Sequence, residues 1–193
     1  MSLWGATTTD ESKPKHLTDA EKRDVYATEE GWVKRTTGTG GRAGRVHEET
    51  LVAIGDLTGR ASTTAGLGRG TISSTRFITT TLGAAAGGSF SAEVIYNEEV
   101  DVDTAGGTPT MTVTNETDAA RNVVLDYASG TGTNRLTFTA TVAGNATNEN
   151  DVLAVQANSV ALNSGTIKDK GTNVDSELTH AAQAATTKIS VGA

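Results

Sequence analysis

The strongest constraint in this chain is an alternation near its middle. Leu136, Phe138, Ala140 and Val142 take turns with Thr137, Thr139 and Thr141. A period of two sends the apolar side chains to one face of a strand and the hydroxyls to the other. Just upstream, Arg121 to Tyr127 reads RNVVLDY, a second strand pattern, and the intervening SGTGTN has two glycines and no large side chain. Glycine supplies the positive φ that tight connections need. The reading is a hairpin-like pair with one buried face, and a buried face requires a second layer.

Further strand signals follow this rhythm. Glu93 to Val102 carries Val94, Tyr96, Val100 and Val102, and Met111 and Val113 sit between threonines. Val152 to Val155, Val160 with Leu162, Thr166-Ile167 and Lys188 to Val191 continue it. Turn signals recur at roughly 8–12 residues, the spacing of an immunoglobulin-like sandwich. About one residue in six is threonine, which suits strands with a solvated face. The expected fold is mainly β: an immunoglobulin-like β-sandwich over residues 89–193, preceded by an extended, arm-rich N-terminal region with little helix over residues 1–88. The run AAAGGS, Ala84 to Ser89, is the best linker by composition and sets that boundary.

The front half is irregular. Thr18 with Glu21 three residues later forms a capping-box pattern and opens a short helix candidate ending near Tyr26. Ile72 to Leu82, ISSTRFITTTL, is one more strand candidate. Thr36 to Val46, TTGTGGRAGRV, lacks the Lys-Ser/Thr of a phosphate-binding loop and the spacing of a dinucleotide fingerprint. It reads as a loop or arm lying on a partner, with Arg42 and Arg45 as hydrogen-bond donors. Leu3, Trp4 and Trp32 are isolated apolar residues in polar surroundings and are candidate partner anchors, because tryptophan is enriched at interface hot spots. The competing reading packs both tryptophans on a small core of the front half; at least one of them is expected to anchor.

Charge separates the halves. Residues 1–88 hold 11 Lys and Arg against 10 Asp and Glu, whereas residues 89–193 hold 5 against 13. An acidic back half repels nucleic acid. There is no cysteine, hence no disulfide or thiolate site, and no apolar run approaches the ~20 residues of a membrane span. MSLWGATTTDESK has neither the basic start nor the apolar core of a signal peptide, so the expected place of synthesis is the cytoplasm.

Catalytic patterns are thin. His16, His47 and His180 do not pair at helical spacing, and no Gly-x-Ser-x-Gly elbow occurs. Glu98, Glu99, Asp101 and Asp103 form a carboxylate run without the aromatic platforms of a glycosidase. The expectation is a non-enzymatic protein without a cofactor. Asp169, Asn173 and Asp175, in DKGTNVD, place hard oxygen donors at short spacing and are candidate Ca²⁺ ligands. The competing reading is an Asp/Asn turn satisfying its own backbone.

Two resemblances add to this. GTPTMTV, YASGTGTNRLTFTATVAGN, NDVLAV and LNSGTIKDKGTN keep the order and spacing of a bacterial and phage immunoglobulin-like module, present here once. MSLWG, DESKPKHLT, GWVKR and HEETLVAIGDL resemble virion structural proteins of large tailed bacteriophages of cyanobacteria. Together they imply a capsid decoration protein: a front half docking on the major capsid protein and on neighbouring copies, and an acidic module facing outward with weak contacts to host-surface glycans. A neck, baseplate or tail-fibre component of the same particle and a cell-surface adhesion module are the alternatives.

Overall fold

A computed structural model of the protein describes residues 13–28, 30–37, 45–54, 69–184 and 187–193. The fold is mainly β. Twelve strands occur among the described residues: β1 (Val25–Thr28), β2 (Gly31–Thr37), β3 (Val46–Ala53), β4 (Ile72–Phe77), β5 (Gly88–Asp103), β6 (Thr110–Asn115), β7 (Val123–Ser129), β8 (Thr133–Val142), β9 (Val152–Ala154), β10 (Val160–Ala161), β11 (Thr166–Asp169) and β12 (Ile189–Ser190). One hydrogen-bonded path runs β12-β9-β6-β7-β8-β5-β1-β2-β3, with β10 on β6 and with β4 and β11 on β5. No described helix is long and apolar enough to cross a membrane.

The alternation that opened the argument is realised in β7 and β8. They pair antiparallel, with Tyr127 opposite Phe138. Leu136, Phe138 and Val142 are buried, and Thr141 is exposed. The connection is Gly130 to Gly132. Gly130 has φ 115°, and a Cβ there would lie 2.0 Å from the Arg135 carbonyl oxygen, so only glycine fits. The inward residues of β5, β6, β7, β8, β9, β10, β11 and β12 gather in one apolar cluster. These strands of the body thus share one apolar core.

The boundary expected at residue 88 falls inside this body. β4 pairs with β5 from Ile72↔Tyr96 to Phe77↔Ala92, and Phe77 packs on Phe90 at 5.4 Å between centroids. The presumed linker is a tight turn. The Gly87 amide donates to the Gly83 carbonyl, the Ala84 amide to Gly192, and the Asn145 amide to Ala84. Small residues serve close backbone approach here: a Cβ on Gly87 (φ 61°) would meet the Val142 carbonyl at 2.2 Å.

The described front half is likewise a packed unit where an extended arm was expected. β1, β2 and β3 form an antiparallel sheet. Leu17, Val25, Ala27, Trp32 and Ile54 make a second, smaller core beneath it. The helix candidate shrinks to a 3₁₀ turn, Glu21–Asp24. Its capping box is present: the Thr18 amide donates to Glu21 Oε2 (3.1 Å) and the Glu21 amide to Thr18 Oγ1 (3.3 Å). These bonds hold the Glu21 carboxyl at about 2. The helix stops because Val25, Tyr26 and Ala27 are all fully or nearly fully buried by strand pairing, a tertiary gain that exceeds weak helix propensity.

Phe138→Ala should lower unfolding stability by ~3–5 kcal/mol in urea denaturation, because removing a fully buried ring leaves a cavity in the body's core. Thr141→Ala, on the exposed face of the same strand, should change it by less than about 0.5 kcal/mol.

Candidate functional site: an acidic cleft between the front sheet and the body

The cleft exists because β5 leaves its ladder. Its pairing with β8 runs from Gly88↔Val142 to Ile95↔Arg135 and resumes at Val100↔Thr133. Tyr96, Asn97, Glu98 and Glu99 therefore bulge out, and their backbone needs other partners. Ala27 of β1 pairs in parallel with Glu98. The Asn97 amide donates to the Thr71 carbonyl, and the Lys170 amide to the Glu99 carbonyl. The bulge thus seats the front sheet on the body.

Between them lies a cleft of about 740 Å³. Thr28, Glu30, Val33, Glu48 and Thr50 line it from the front sheet, and Glu98, Glu99 and Asp169 to Gly171 from the body. Glu48 accepts from the Tyr26 hydroxyl (2.7 Å) and from Arg35 Nη2 (2.9 Å). The Arg35 guanidinium also lies 4.7 Å from the Tyr26 ring centroid and donates to Asn134 Oδ1 of β8 (3.3 Å). Tyr26 holds the Glu48 carboxyl below its ordinary value, with Arg35 adding to the effect. Burial, and then the bond to Glu48, push the Tyr26 hydroxyl up to about 12. Glu99 pairs with Lys170 at 2.7 Å, which raises the Lys170 amino group. Glu98 is buried at the cleft wall.

The residues expected to bind partners or metal are dispersed. Leu3, Trp4 and Arg42 lie outside the described residues. Arg45 is exposed just before β3. Trp32 is not a surface anchor: it is 1% exposed and packs on the chain's own small core. An isolated tryptophan in sequence found its neighbours, Leu17 and Ile54, at a distance along the chain. The calcium ligands also fail to converge. Asp169 turns its Oδ1 to the Thr172 amide (2.5 Å) and hydroxyl (2.8 Å), the alternative Asp-turn reading. Asn173 is an exposed residue with φ 57°, and Asp175 is exposed. Among the described residues no three His, Asp or Glu side chains gather as a metal site.

The histidines play structural parts. His180 Nε2 accepts from the Ser159 amide (3.0 Å), and its Nδ1 faces the Ala181 carbonyl (2.8 Å). His16 and His47 are exposed. Sequence reasoning singled out Glu98 and Glu99 as paired carboxylates. It missed Glu30, Glu48 and Lys170, whose arrival depends on the bulge and on no local pattern. No protein-family model, curated protein or solved structure matches this chain.

The ion pair predicts an acid dependence. A carboxyl with a lowered folded pKa stabilises the fold above its unfolded value and loses that contribution as pH falls through the folded one. The stability gap between wild type and Glu48→Gln should therefore be widest above about pH 5 and narrow steadily below about pH 4.3. A gap constant down to about pH 3 in chemical denaturation would show that Tyr26 and Arg35 do not favour the charged form. Calcium and a chelator should leave the melting temperature equal, since Asp169 is already satisfied by Thr172.

Proposed function

We propose that the chain is a non-enzymatic virion structural protein of a tailed bacteriophage, a capsid decoration protein. It docks on the major capsid protein and beside its own copies through the front half, and it carries the acidic β body outward, where weak glycan contacts are possible through repetition. The observation that carries this reading is β3. It ends the sheet path, with β2 on one edge and no strand on the other among the described residues. Val46 to Thr50 are all exposed, and Val46 is 58% exposed. An eight-residue strand with one bare edge is a template for strand addition unless something covers it.

The surroundings of β3 support a protein partner. Arg45 stands at its start, and arginine suits carboxylates across polar interfaces. Arg42, Leu3 and Trp4 belong to the same proposal through the sequence resemblance, while Trp32 leaves it. Repetition on a lattice turns weak single contacts into strong ones. A protein that binds only the assembled shell stabilises that shell by mass action.

Imaging of the intact particle should find this chain at repeated shell positions, in copies numbering in the hundreds. A low copy number at the neck, baseplate or tail, or absence from the particle, would overturn the decoration role. Val46→Lys, which places a charge beside the bare edge, should weaken binding to empty shells by about tenfold while leaving the melting temperature unchanged.

A further inference from the structure

A second gap separates the front unit from the body, and its charge is opposite to that of the cleft. The 3₁₀ turn Glu21–Asp24 faces β4 across a cavity of about 320 Å³, lined by Lys13, Asp19, Lys22, Arg23, Ser73 and Ser74. Three cations face one carboxylate there, in a protein whose net charge is −7. That carboxylate, Asp19, is paired with Lys22 at 3.3 Å. Lys13 Nζ donates to the Lys22 carbonyl (2.9 Å). Neither Lys13 nor Arg23 has an acidic partner among the described residues.

Two further observations point into the same gap. The β4 pairing with β5 is irregular between Ile72 and Ser74, so β4 bulges where it lines the cavity. Bulges commonly re-aim a side chain at a site. The Ser74 hydroxyl is buried and hydrogen-bonded to nothing among the described residues, and a buried hydroxyl left so is costly. Lys13 is also held in an unfavourable setting. Its burial, then Arg135 and Lys22, push the amino group down to about 8. Arg135 is itself paired with Asp24 (2.5 Å) and Glu93 (3.3 Å), and neither carboxylate bonds Lys13.

We propose that this cavity binds a small tetrahedral oxyanion, a phosphate group, held by Lys13, Lys22, Arg23 and the Ser74 hydroxyl. Such a ligand supplies the missing counter-charge and the missing hydrogen-bond partner at once. The gap has room for a phosphate group or a small phosphomonoester. Because the front turn and β4 both line it, the bound anion would cross-link the front unit to the body. This inference does not depend on the shell-docking reading.

The test uses the full chain with inorganic phosphate, at pH 7 and constant ionic strength set by sodium chloride. Calorimetry and thermal melting should show saturable phosphate binding and a rise in melting temperature that chloride does not give. The double variant Lys13→Gln with Arg23→Gln should bind at least about tenfold more weakly. Lys15→Gln, an exposed lysine outside the cavity, should bind as wild type does. Ser74→Ala leaves the charge intact and should weaken binding about threefold to tenfold. A labelling experiment on the unmodified protein removes dependence on variant folding: phosphate should protect the Lys13 amine from acylation and leave Lys15 reactive. Glycerol phosphate in place of inorganic phosphate separates the two sources, since binding of inorganic phosphate alone marks a free-ion site and binding of both marks a monoester site. No difference between phosphate and chloride, or equal loss in the Lys15 variant, or equal labelling of both lysines, would overturn the proposal.

Discussion

Everything in this molecule leans on a single strand that cannot stay regular. β5 is sixteen residues long and pairs with β4, β8, β11 and β1. A strand has only two edges, so four partners must share its length. β4 and β8 take its first half, from Gly88 to Tyr96, and β11 takes Val100 to Asp103. The bulge from Tyr96 to Glu99 is the handover between them. The backbone groups freed there must still be paired, and β1, Thr71 and Lys170 pair them. The attachment of the front sheet is thus a consequence of satisfying β5, and the acidic cleft is the space left beside that attachment.

The joint differs from the units that it joins. Each unit has its own apolar core, and the two clusters share no residue. Across the joint the described contacts are largely polar: Arg135 with Asp24 and with the Arg23 carbonyl, and Arg35 with Asn134, which in turn holds the Tyr96 carbonyl. Glu93, 7% exposed, is held by both Arg76 and Arg135 and so fixes Arg135 from the body side. Exposed ion pairs contribute about 0–1 kcal/mol each, far less than a buried ring. Stability in such a chain is unevenly distributed, with the body and the small front core each firmer than the contact between them.

What the sequence made legible follows from the range of the forces involved. The β7–β8 pair was readable because its signal is local: a period of two, flanking glycines, and side chains whose faces follow from position alone. The Thr18–Glu21 capping box was readable for the same reason, and it formed even though its helix did not. Trp32 reads as either anchor or core, because its environment is supplied by Leu17 and Ile54, away from it in sequence. The run from Ala84 to Ser89 was misread because small residues suit both a loose linker and a crowded turn, and only the neighbouring Val142 carbonyl and Gly192 distinguish the two. The cleft was illegible as a unit. Its walls come from four separated segments, and the bulge that brings them together has no sequence pattern of its own.

The charge asymmetry noticed in the sequence acquires a different meaning at the joint. A near-neutral front and an acidic body could have met through simple attraction. Instead the joint holds two gaps of opposite sign, one lined by Glu30, Glu48, Glu98, Glu99 and Asp169, the other by Lys13, Lys22 and Arg23. In the first, Glu48 and Glu99 are matched by Arg35 and Lys170, so protein groups relieve the repulsion. In the second, Lys13 and Arg23 are not matched. A joint built from weak polar contacts is the place where such a charge has most leverage, because a ligand that binds only the joined front and body stabilises the joint by mass action.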